Sequence, residues 1–192
     1  MRRRQQFIDA AWRCAAQNGY RDVTVDDVCL EARMSKGAFY GYFGQKRDLL
    51  LALLDDDAQE LDIILERLAA SSVNNTERLR GYTRALLQRG EEPGRVQVRA
   101  DLWTSMLNEK EVAERFSAGV QRRRDCLRGW VEAAVAEGEI VEVPANALAS
   151  ILLALSDGLM LHASIQPDAF RWKNIASALD VLLAGLVRKA AA

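Results

Sequence analysis

The chain has 192 residues, of which 49% are hydrophobic, and its 26 Lys and Arg and 27 Asp and Glu leave a formal net charge of −1. This length and composition suffice for a buried core and exclude an intrinsically disordered chain. No run of eighteen apolar residues occurs, and no apolar segment follows the N-terminal MRRRQQF. The sequence therefore predicts neither a membrane span nor a signal peptide, and it predicts a cytoplasmic protein.

The charges are distributed unevenly along the chain. Residues 1–47 hold nine Lys or Arg and five acidic residues, so this part carries +4 and leaves −5 for the remainder. A basic segment joined to an acidic body is typical of a DNA-binding domain attached to a second domain. We therefore expect a DNA-binding domain over residues 1–47 and a second, helical domain over residues 48–192.

Almost every segment has helical rather than alternating periodicity, which predicts an all-α chain. The first predicted helix runs from about Arg3 to Asn18. Thr24 is a candidate N-cap for a second helix, and Ser35 is a candidate N-cap for a third. The two-residue gap before Ser35 is too short for anything but the corner of a helix-turn-helix unit. The third helix is predicted to run from Lys36 to about Tyr42.

The composition of this third helix favours DNA reading over packing. Lys36, Gly37 and Ala38 at its start are small or cationic, so the backbone can approach a groove closely. Two residues near its end, Tyr40 and Tyr42, can offer hydroxyls to phosphates while their rings pack.

Two aromatic residues and one lysine complete this segment. Phe39 and Phe43 are four residues apart and are expected to face inward. Lys46 follows at the start of the fourth helix, where a cation can hold a phosphate. We interpret the arginines at positions 2, 3 and 4 as a basic arm for phosphates or the minor groove.

Six further helices are predicted, separated by polar or glycine-containing breaks such as SSVNNT and GEEPG. Their approximate limits are Gln45 to Ala70, Thr76 to Arg89, Val96 to Leu107, Lys110 to Glu137, Asn146 to Ile165, and Ala169 to Lys189.

The last two predicted helices are apolar on more than one face, so both must be covered on two sides. One cover is the core of the same chain. The other is predicted to be the same helix pair of a second subunit, forming a four-helix interface; a buried hairpin within a monomer is the alternative. The residues predicted for this interface are Leu148, Ile151, Leu152, Leu155, Leu159, Leu179, Leu182 and Leu186.

The body also contains wide apolar side chains on helices expected to surround a common interior, with occasional polar groups. Such a set is compatible with a chamber for a largely apolar effector, although for any single member ordinary core is the favoured interpretation. The candidate ligand-binding residues are Tyr82, Trp103, Met106, Leu107, Phe116, Gln121 and Asp157.

Catalysis, cofactors and metals are not predicted, because the chain has a single histidine, no phosphate-binding glycine loop and no cysteine–histidine spacing suited to zinc. His162 is interpreted as a core or interface residue rather than a ligand contact. The run of three arginines at 122–124 must turn at least one guanidinium toward its neighbours. The acidic run Asp55, Asp56 and Asp57 is interpreted as solvated charge, and the three cysteines as reduced, packed thiols.

The N-terminal fifty residues resemble the DNA-binding domain of the TetR (tetracycline repressor-like) family of bacterial transcriptional regulators. The shared positions lie in the first helix, the glycine-tyrosine corner, the two capped helices and the start of the fourth. They are Ile8, Ala11, Ala15, Gly19, Tyr20, Thr24, Val25, Ser35, Lys36, Gly37, Tyr40, Tyr42, Phe43, Lys46 and Leu49.

This resemblance implies a homodimeric, ligand-responsive regulator, most simply a repressor, that binds a palindromic operator in double-stranded DNA and is released by a small-molecule effector. Arg33 departs from the family pattern, which usually has glycine in this turn. Either the turn has another shape, or Arg33 offsets its strain by reaching a phosphate. A helical carrier protein that no longer reads DNA, and an all-α enzyme built on His162 and Asp157, are the alternative functions.

Overall fold

In the computed structural model, residues 2–92 and 94–188 are described, apart from the side chains of Asn18 and Met106. These residues form nine α-helices, one 3-10 turn at Pro167–Ala169, and no β-strand beyond an isolated pairing of Ile140 with Val187. The prediction of an all-α fold is therefore confirmed. The helices are α1 Arg2–Asn18, α2 Val25–Ala32, α3 Lys36–Tyr40, α4 Lys46–Ala69, α5 Asn75–Arg89, α6 Arg95–Asn108, α7 Lys110–Ala136, α8 Ala145–Ile165 and α9 Trp172–Ala184.

The predicted limits of three helices were wrong. Helix α3 ends at Tyr40, because the chain turns at Gly41 and Tyr42 donates to the Phe39 carbonyl. Helix α5 is capped by Asn74, whose side chain accepts from the Glu77 N–H, and not by Thr76. Helix α9 is shorter at both ends than predicted, since the 3-10 turn precedes it and Gly185 ends it; Lys189 lies outside the described residues.

The chain packs as two compact units, one of residues 1–60 with 92–117 and the other of residues 61–91 with 118–192. Helices α4 and α7 contribute residues to both. This division follows packing, and the functional boundary between residues 47 and 48 stays a prediction. We call the two parts the N-terminal unit and the C-terminal unit.

An aromatic cluster lies at the centre of the N-terminal unit. The Phe7 ring from α1 meets the Phe39 ring edge-on at 5.5 Å and the Phe43 ring at 6.2 Å. All three side chains are buried, and Val28 and Leu49 belong to the same core. Burying each such side chain contributes roughly 1.5–3 kcal/mol, so this cluster holds α1, α3 and the start of α4 together.

A buried ion network joins α4 to α6 within the N-terminal unit. Asp57 accepts hydrogen bonds from Arg95 at 3.0 Å and from Arg99 at 2.9 Å. The Arg95 guanidinium also lies 4.5 Å from the ring centroid of Trp12 in α1. Asp57 is only 7% exposed, so the interpretation of this residue as solvated charge was wrong. Only Asp55 of the acidic run is exposed.

The C-terminal unit has its own core from α4, α5, α7, α8 and α9. Its largest fully buried side chain is Tyr82, and Leu127, Val131 and Leu152 pack in the same cluster. Arg123 is 3% exposed, so one guanidinium of the arginine run does turn inward, as the sequence predicted.

Candidate functional site

Helix α2 begins at a complete capping box. The Thr24 hydroxyl accepts from the Asp27 N–H at 3.2 Å, and the Asp27 carboxylate accepts from the Thr24 N–H at 2.8 Å. Hydrogen bonds from Thr24 lower the pKa of the Asp27 carboxyl. The reciprocal pair satisfies two backbone donors that would otherwise be unpaired, and it fixes where α2 starts.

The corner after α2 is a Schellman turn with Arg33 in the left-handed region, at φ 55° and ψ 43°. The Arg33 N–H donates to the Leu30 carbonyl at 3.1 Å, and the Met34 N–H donates to the Cys29 carbonyl at 2.9 Å. This pattern closes a helix and usually places glycine at the left-handed residue. Of the two possibilities left by the sequence, a differently shaped turn is therefore excluded.

Helix α3 begins immediately after this corner. The Ser35 hydroxyl accepts from the Ala38 N–H at 3.1 Å, as its predicted role as N-cap requires. Phe39 faces the core, whereas Lys36, Gly37 and Tyr40 are exposed. The turn and the buried ring together fix the rotation of α3, so its exposed face is set by the fold.

The tyrosines at the end of this segment have packed rings and accessible edges. The Tyr40 ring lies 5.4 Å from Phe39, and the Tyr42 ring lies 6.2 Å from Phe7. Their exposed fractions are 55% and 44%. Both can therefore offer a hydroxyl outward without leaving the aromatic cluster.

Most cations around α2 and α3 are engaged within the protein. The Lys36 ammonium is 2.7 Å from the Asp26 carboxylate, and Arg13 pairs with Glu31 at 2.5 Å. The hydrogen bond and charge of Asp26 raise the pKa of Lys36. Lys36 and Asp26 are both exposed, so DNA can compete for Lys36 at little cost.

The Lys46 ammonium, predicted to bind a phosphate, already has partners within the protein. Its ammonium donates to the Arg21 carbonyl at 3.0 Å and lies 5.0 Å from the Tyr20 ring centroid. Burial lowers the pKa of Lys46, while nearby acids including Asp101 oppose that shift. A cavity of about 360 Å³ is present here, lined by Tyr20, Lys46 and Asp101 among others.

The candidate ligand residues do not share one environment. Tyr82 is buried in the C-terminal unit, and its hydroxyl has no hydrogen-bond partner among the residues that the structure describes, whereas Trp103 and Phe116 pack in the N-terminal unit with ring centroids 6.1 Å apart. Leu107 is 79% exposed and Gln121 is also exposed, so the prediction that these two face an interior was wrong.

Two other candidate ligand residues, Asp157 and Met106, belong to α8 and α6. Asp157 is half-buried in the C-terminal unit and is among the charges that act on the Tyr82 hydroxyl, whose pKa is raised chiefly by burial. The side chain of Met106 lies outside the described residues.

The candidate interface residues on α8, on α9 and just after it fall into three groups by exposure. Leu152 and Leu179 are buried in the core of their own unit, so assigning them to an interface was wrong. Ile151 and Leu182 are 60% and 68% exposed. The other four, Leu148, Leu155, Leu159 and Leu186, are half-buried.

The same surface includes apolar residues that the sequence reasoning missed. Ile165 and Val181 are more than two-thirds exposed, at 70% and 72%. His162 is exposed as well, so it is not a core residue, and its place at an interface stays a prediction. Helical spacing from Ile151 and Leu182 could have identified some of these positions, but it could not tell an outer apolar face from an inner one.

Comparison with known proteins identifies both parts of the chain. Residues 7–53 match the family of bacterial regulatory proteins of the TetR type, and residues 75–188 match the C-terminal domain of BetI-type transcriptional repressors. An HTH-type transcriptional repressor, Rv1474c of Mycobacterium tuberculosis, is 29% identical over 184 residues, covering 94% of this chain and 90% of its own. The regulator BetI of Brucella anthropi is 41% identical over 69 residues, covering 34% of this chain and 36% of its own.

Solved structures show the same fold over nearly the whole length. A TetR regulator from Haloarcula marismortui has a TM-score of 0.86 at 20% identity, covering 97% of this chain and 98% of its own. A regulator from Saccharomonospora viridis in complex with choline has a TM-score of 0.82 at 21% identity, with the same coverage. With a family match over more than half its length and a capped helix-turn-helix unit, the chain belongs to the TetR family of DNA-binding transcriptional regulators.

Proposed function

We propose that this chain is a homodimeric repressor that binds a palindromic operator and is released by a small-molecule effector. The observation that carries the DNA-binding part is the pair of capped helices joined by a closed corner. This arrangement fixes α3 with its exposed face outward, which is what a recognition helix requires. In a dimer bound to DNA, the two α3 helices are expected about 34 to 36 Å apart.

The residues proposed to meet bases are Lys36, Gly37, Ala38 and Tyr40; Lys36, Gly37 and Tyr40 are exposed, whereas Ala38 is half-buried against the core. Those proposed to meet phosphates are Thr24, Ser35, Tyr42, Lys46 and three arginines, Arg2, Arg3 and Arg4, which form the first turn of α1 and not the separate arm that the sequence predicted. Replacing Ala38 should change sequence preference, whereas Lys46→Ala should weaken binding to all sequences about equally.

The proposed dimer surface combines the exposed apolar residues of α8 and α9, with Ile151, Ile165, Val181 and Leu182 as its most exposed members. Large apolar side chains exposed in this number on two helices favour association. Helix α8 is also long and apolar enough to cross a membrane by length and composition alone, and it is the one such helix in the part of the chain that the structure describes. A helix covered on two sides by a dimer core has this same composition, so the proposed dimer accounts for it without a membrane.

The effector is proposed to be largely apolar, with one polar group that meets the Tyr82 hydroxyl. A buried hydroxyl without a partner costs about 1–3 kcal/mol, and a ligand acceptor would remove that cost. Asp157 lies close enough to act on this hydroxyl electrostatically, so it is a second candidate contact. Choline, which is bound in one structural relative, is a probe worth including. The proposed role requires no catalytic step.

The decisive test is fluorescence anisotropy of the full-length protein with labelled DNA from upstream of its own gene, against unrelated competitor DNA and across a salt series. Binding that survives competitor at two subunits per duplex is the expected result. If the wild-type protein binds this DNA only weakly, and if unrelated competitor also displaces it from fragments selected genome-wide, the carrier function is favoured instead.

The dimer surface has its own test. Light scattering of the wild-type protein at micromolar concentration should give a dimer mass, and Ile151→Asp combined with Leu182→Asp should give a folded monomer. The matched control is Leu107→Asp, which places the same charge on an equally exposed leucine of α6 and should leave the dimer intact. A monomeric wild-type protein would remove the dimer from the proposal.

The effector site is tested by thermal shift with choline and a panel of apolar aromatic compounds. A compound that raises the melting temperature should also release operator DNA, and Tyr82→Phe should weaken that compound's binding about 10-fold. Equal binding by the Tyr82→Phe variant would show that the polar anchor lies elsewhere.

A further inference from the structure

Arg33 is the only non-glycine residue with positive φ among residues 2–92 and 94–188. Its φ of 55° and ψ of 43° lie in the left-handed region, where a side chain crowds the following carbonyl oxygen. Glycine takes this conformation at no such cost, and asparagine takes it more readily than arginine. The corner therefore carries strain that a common substitution would remove.

Packing does not explain why an arginine stands here. Arg33 is exposed, and the hydrogen bonds of the corner come from its backbone N–H and from that of Met34. Met34, not Arg33, packs against the apolar core of the unit. The turn would keep all these contacts with glycine at position 33.

The ionic environment does not explain it either. Nearby acids on α2 are already paired, Asp26 with Lys36 and Glu31 with Arg13. No hydrogen bond or ion pair of the Arg33 guanidinium occurs with any residue that the structure describes. The side chain is a free cation at the junction of the two helices that form the proposed DNA-binding element.

We infer that the Arg33 guanidinium binds a backbone phosphate of the DNA, and that the chain keeps a strained residue at this corner for that contact. The inference rests on the proposed DNA-binding function. Strained backbone that persists at a functional position is a known exchange of stability for activity. A guanidinium suits this task because its forked donors match two phosphate oxygens.

If Arg33 binds a phosphate, replacing it should raise the stability of the protein and lower its affinity for DNA. A substitution without functional effect would leave the DNA affinity unchanged. Arg33→Gly should raise the melting temperature by about 2–4 °C, and Arg33→Asn by somewhat less. In both variants, the slope of log K against log salt for a random-sequence duplex should fall by roughly 1 per subunit, or roughly 2 per dimer. Arg33→Lys should keep the wild-type slope and gain no stability.

The control for simple loss of charge is Arg67→Gln, which removes an exposed cation in the last turn of α4, outside the helix-turn-helix unit. It should leave the salt slope unchanged. If Arg33→Gly and Arg33→Asn bind DNA with the wild-type slope, or if Arg33→Gly fails to raise the melting temperature, the inference is overturned while the regulator function stands. If the wild-type protein itself shows no salt-dependent DNA binding, the proposed function fails. That result is distinguishable from the failure of the inference, in which the wild-type protein binds DNA normally.

Discussion

Glu139, in the turn after α7, caps α5 through Thr76. Its carboxylate accepts from the Thr76 N–H at 2.8 Å and from the Thr76 hydroxyl at 2.6 Å. The Asn75 N–H donates to the same carboxylate at 3.2 Å. A side chain distant in sequence thus satisfies the free N–H groups of the first turn of α5, beside the local cap from Asn74.

Glu139→Gln should destabilise the protein by about 1–2 kcal/mol, because a neutral amide makes weaker hydrogen bonds to these donors and loses the favourable charge at a helix N-terminus. Thermal unfolding followed by circular dichroism measures the change. Glu142→Gln, at an exposed position three residues later, is the control and should change stability by less than about 0.5 kcal/mol. Equal effects of the two variants would contradict the capping role.

The contribution of Glu139 should depend on pH. Burial opposes ionisation of this carboxyl, but hydrogen bonds from Thr76 and Asn75 outweigh it, so the pKa of Glu139 lies below its ordinary value of 4.5. A lowered folded-state pKa means that the stabilisation is complete above the ordinary value and is lost as the pH falls through the folded-state pKa. The melting temperatures of wild type and Glu139→Gln should therefore differ at pH 7 and converge toward pH 3. A constant difference over this range would argue against the effect.

Asp57 and Asp55 should respond very differently to the same substitution. Asp57→Ala leaves Arg95 and Arg99 with fewer partners in a buried site and should cost about 3–5 kcal/mol. Asp55→Ala removes an exposed pair with Arg115 and should cost less than about 1 kcal/mol. Urea unfolding of both variants measures the difference, and similar midpoints would mean that the network contributes little.

Gly94 permits a close approach of the chain to α1. Its φ is 79°, and a Cβ built there would lie 2.3 Å from the backbone of Ala16. Gly94→Ala should therefore destabilise the protein by more than about 3 kcal/mol, through steric overlap and left-handed strain. Gly129→Ala in α7 is the matched control, because a Cβ there meets nothing within 4 Å. That variant should gain up to about 1 kcal/mol in helix propensity.

Asp26 should restrain DNA binding. Its carboxylate holds the Lys36 ammonium and adds a negative charge beside the proposed groove-facing residues. Asp26→Asn should strengthen binding to operator DNA by roughly 2- to 30-fold for a dimer, since each exposed pair is worth about 0.2–1 kcal/mol. Glu114→Gln removes an acid from another exposed pair, with Lys110, and should leave affinity unchanged. Anisotropy titrations at low salt compare the three proteins, and weaker binding by Asp26→Asn would contradict the prediction.

The sequence by itself determined the helix-turn-helix unit. Thr24 and Ser35 cap helices through residues three positions away, and the Phe43 N–H donates to the Phe39 carbonyl four residues back, with both rings in the core. Caps and helical spacing act over one turn of chain, so they can be read without knowing what the element packs against. For the same reason, the two residues between the predicted second and third helices, Arg33 and Met34, were enough to predict a corner.

Only the tertiary structure decided which of several equivalent residues are buried. Asp57 differs from Asp55 because Arg95 reaches it from 38 positions away. Leu152 joins the core and Ile151 does not, because α8 has two apolar faces and packing within the chain covers one. Adjacent residues of a helix point about 100° apart, so the rotation of the helix about its axis decides which of them is buried. The sequence of a helix with two apolar faces does not fix that rotation. The left-handed backbone of Arg33 likewise required coordinates, since a residue type indicates a preference for a conformation without fixing it.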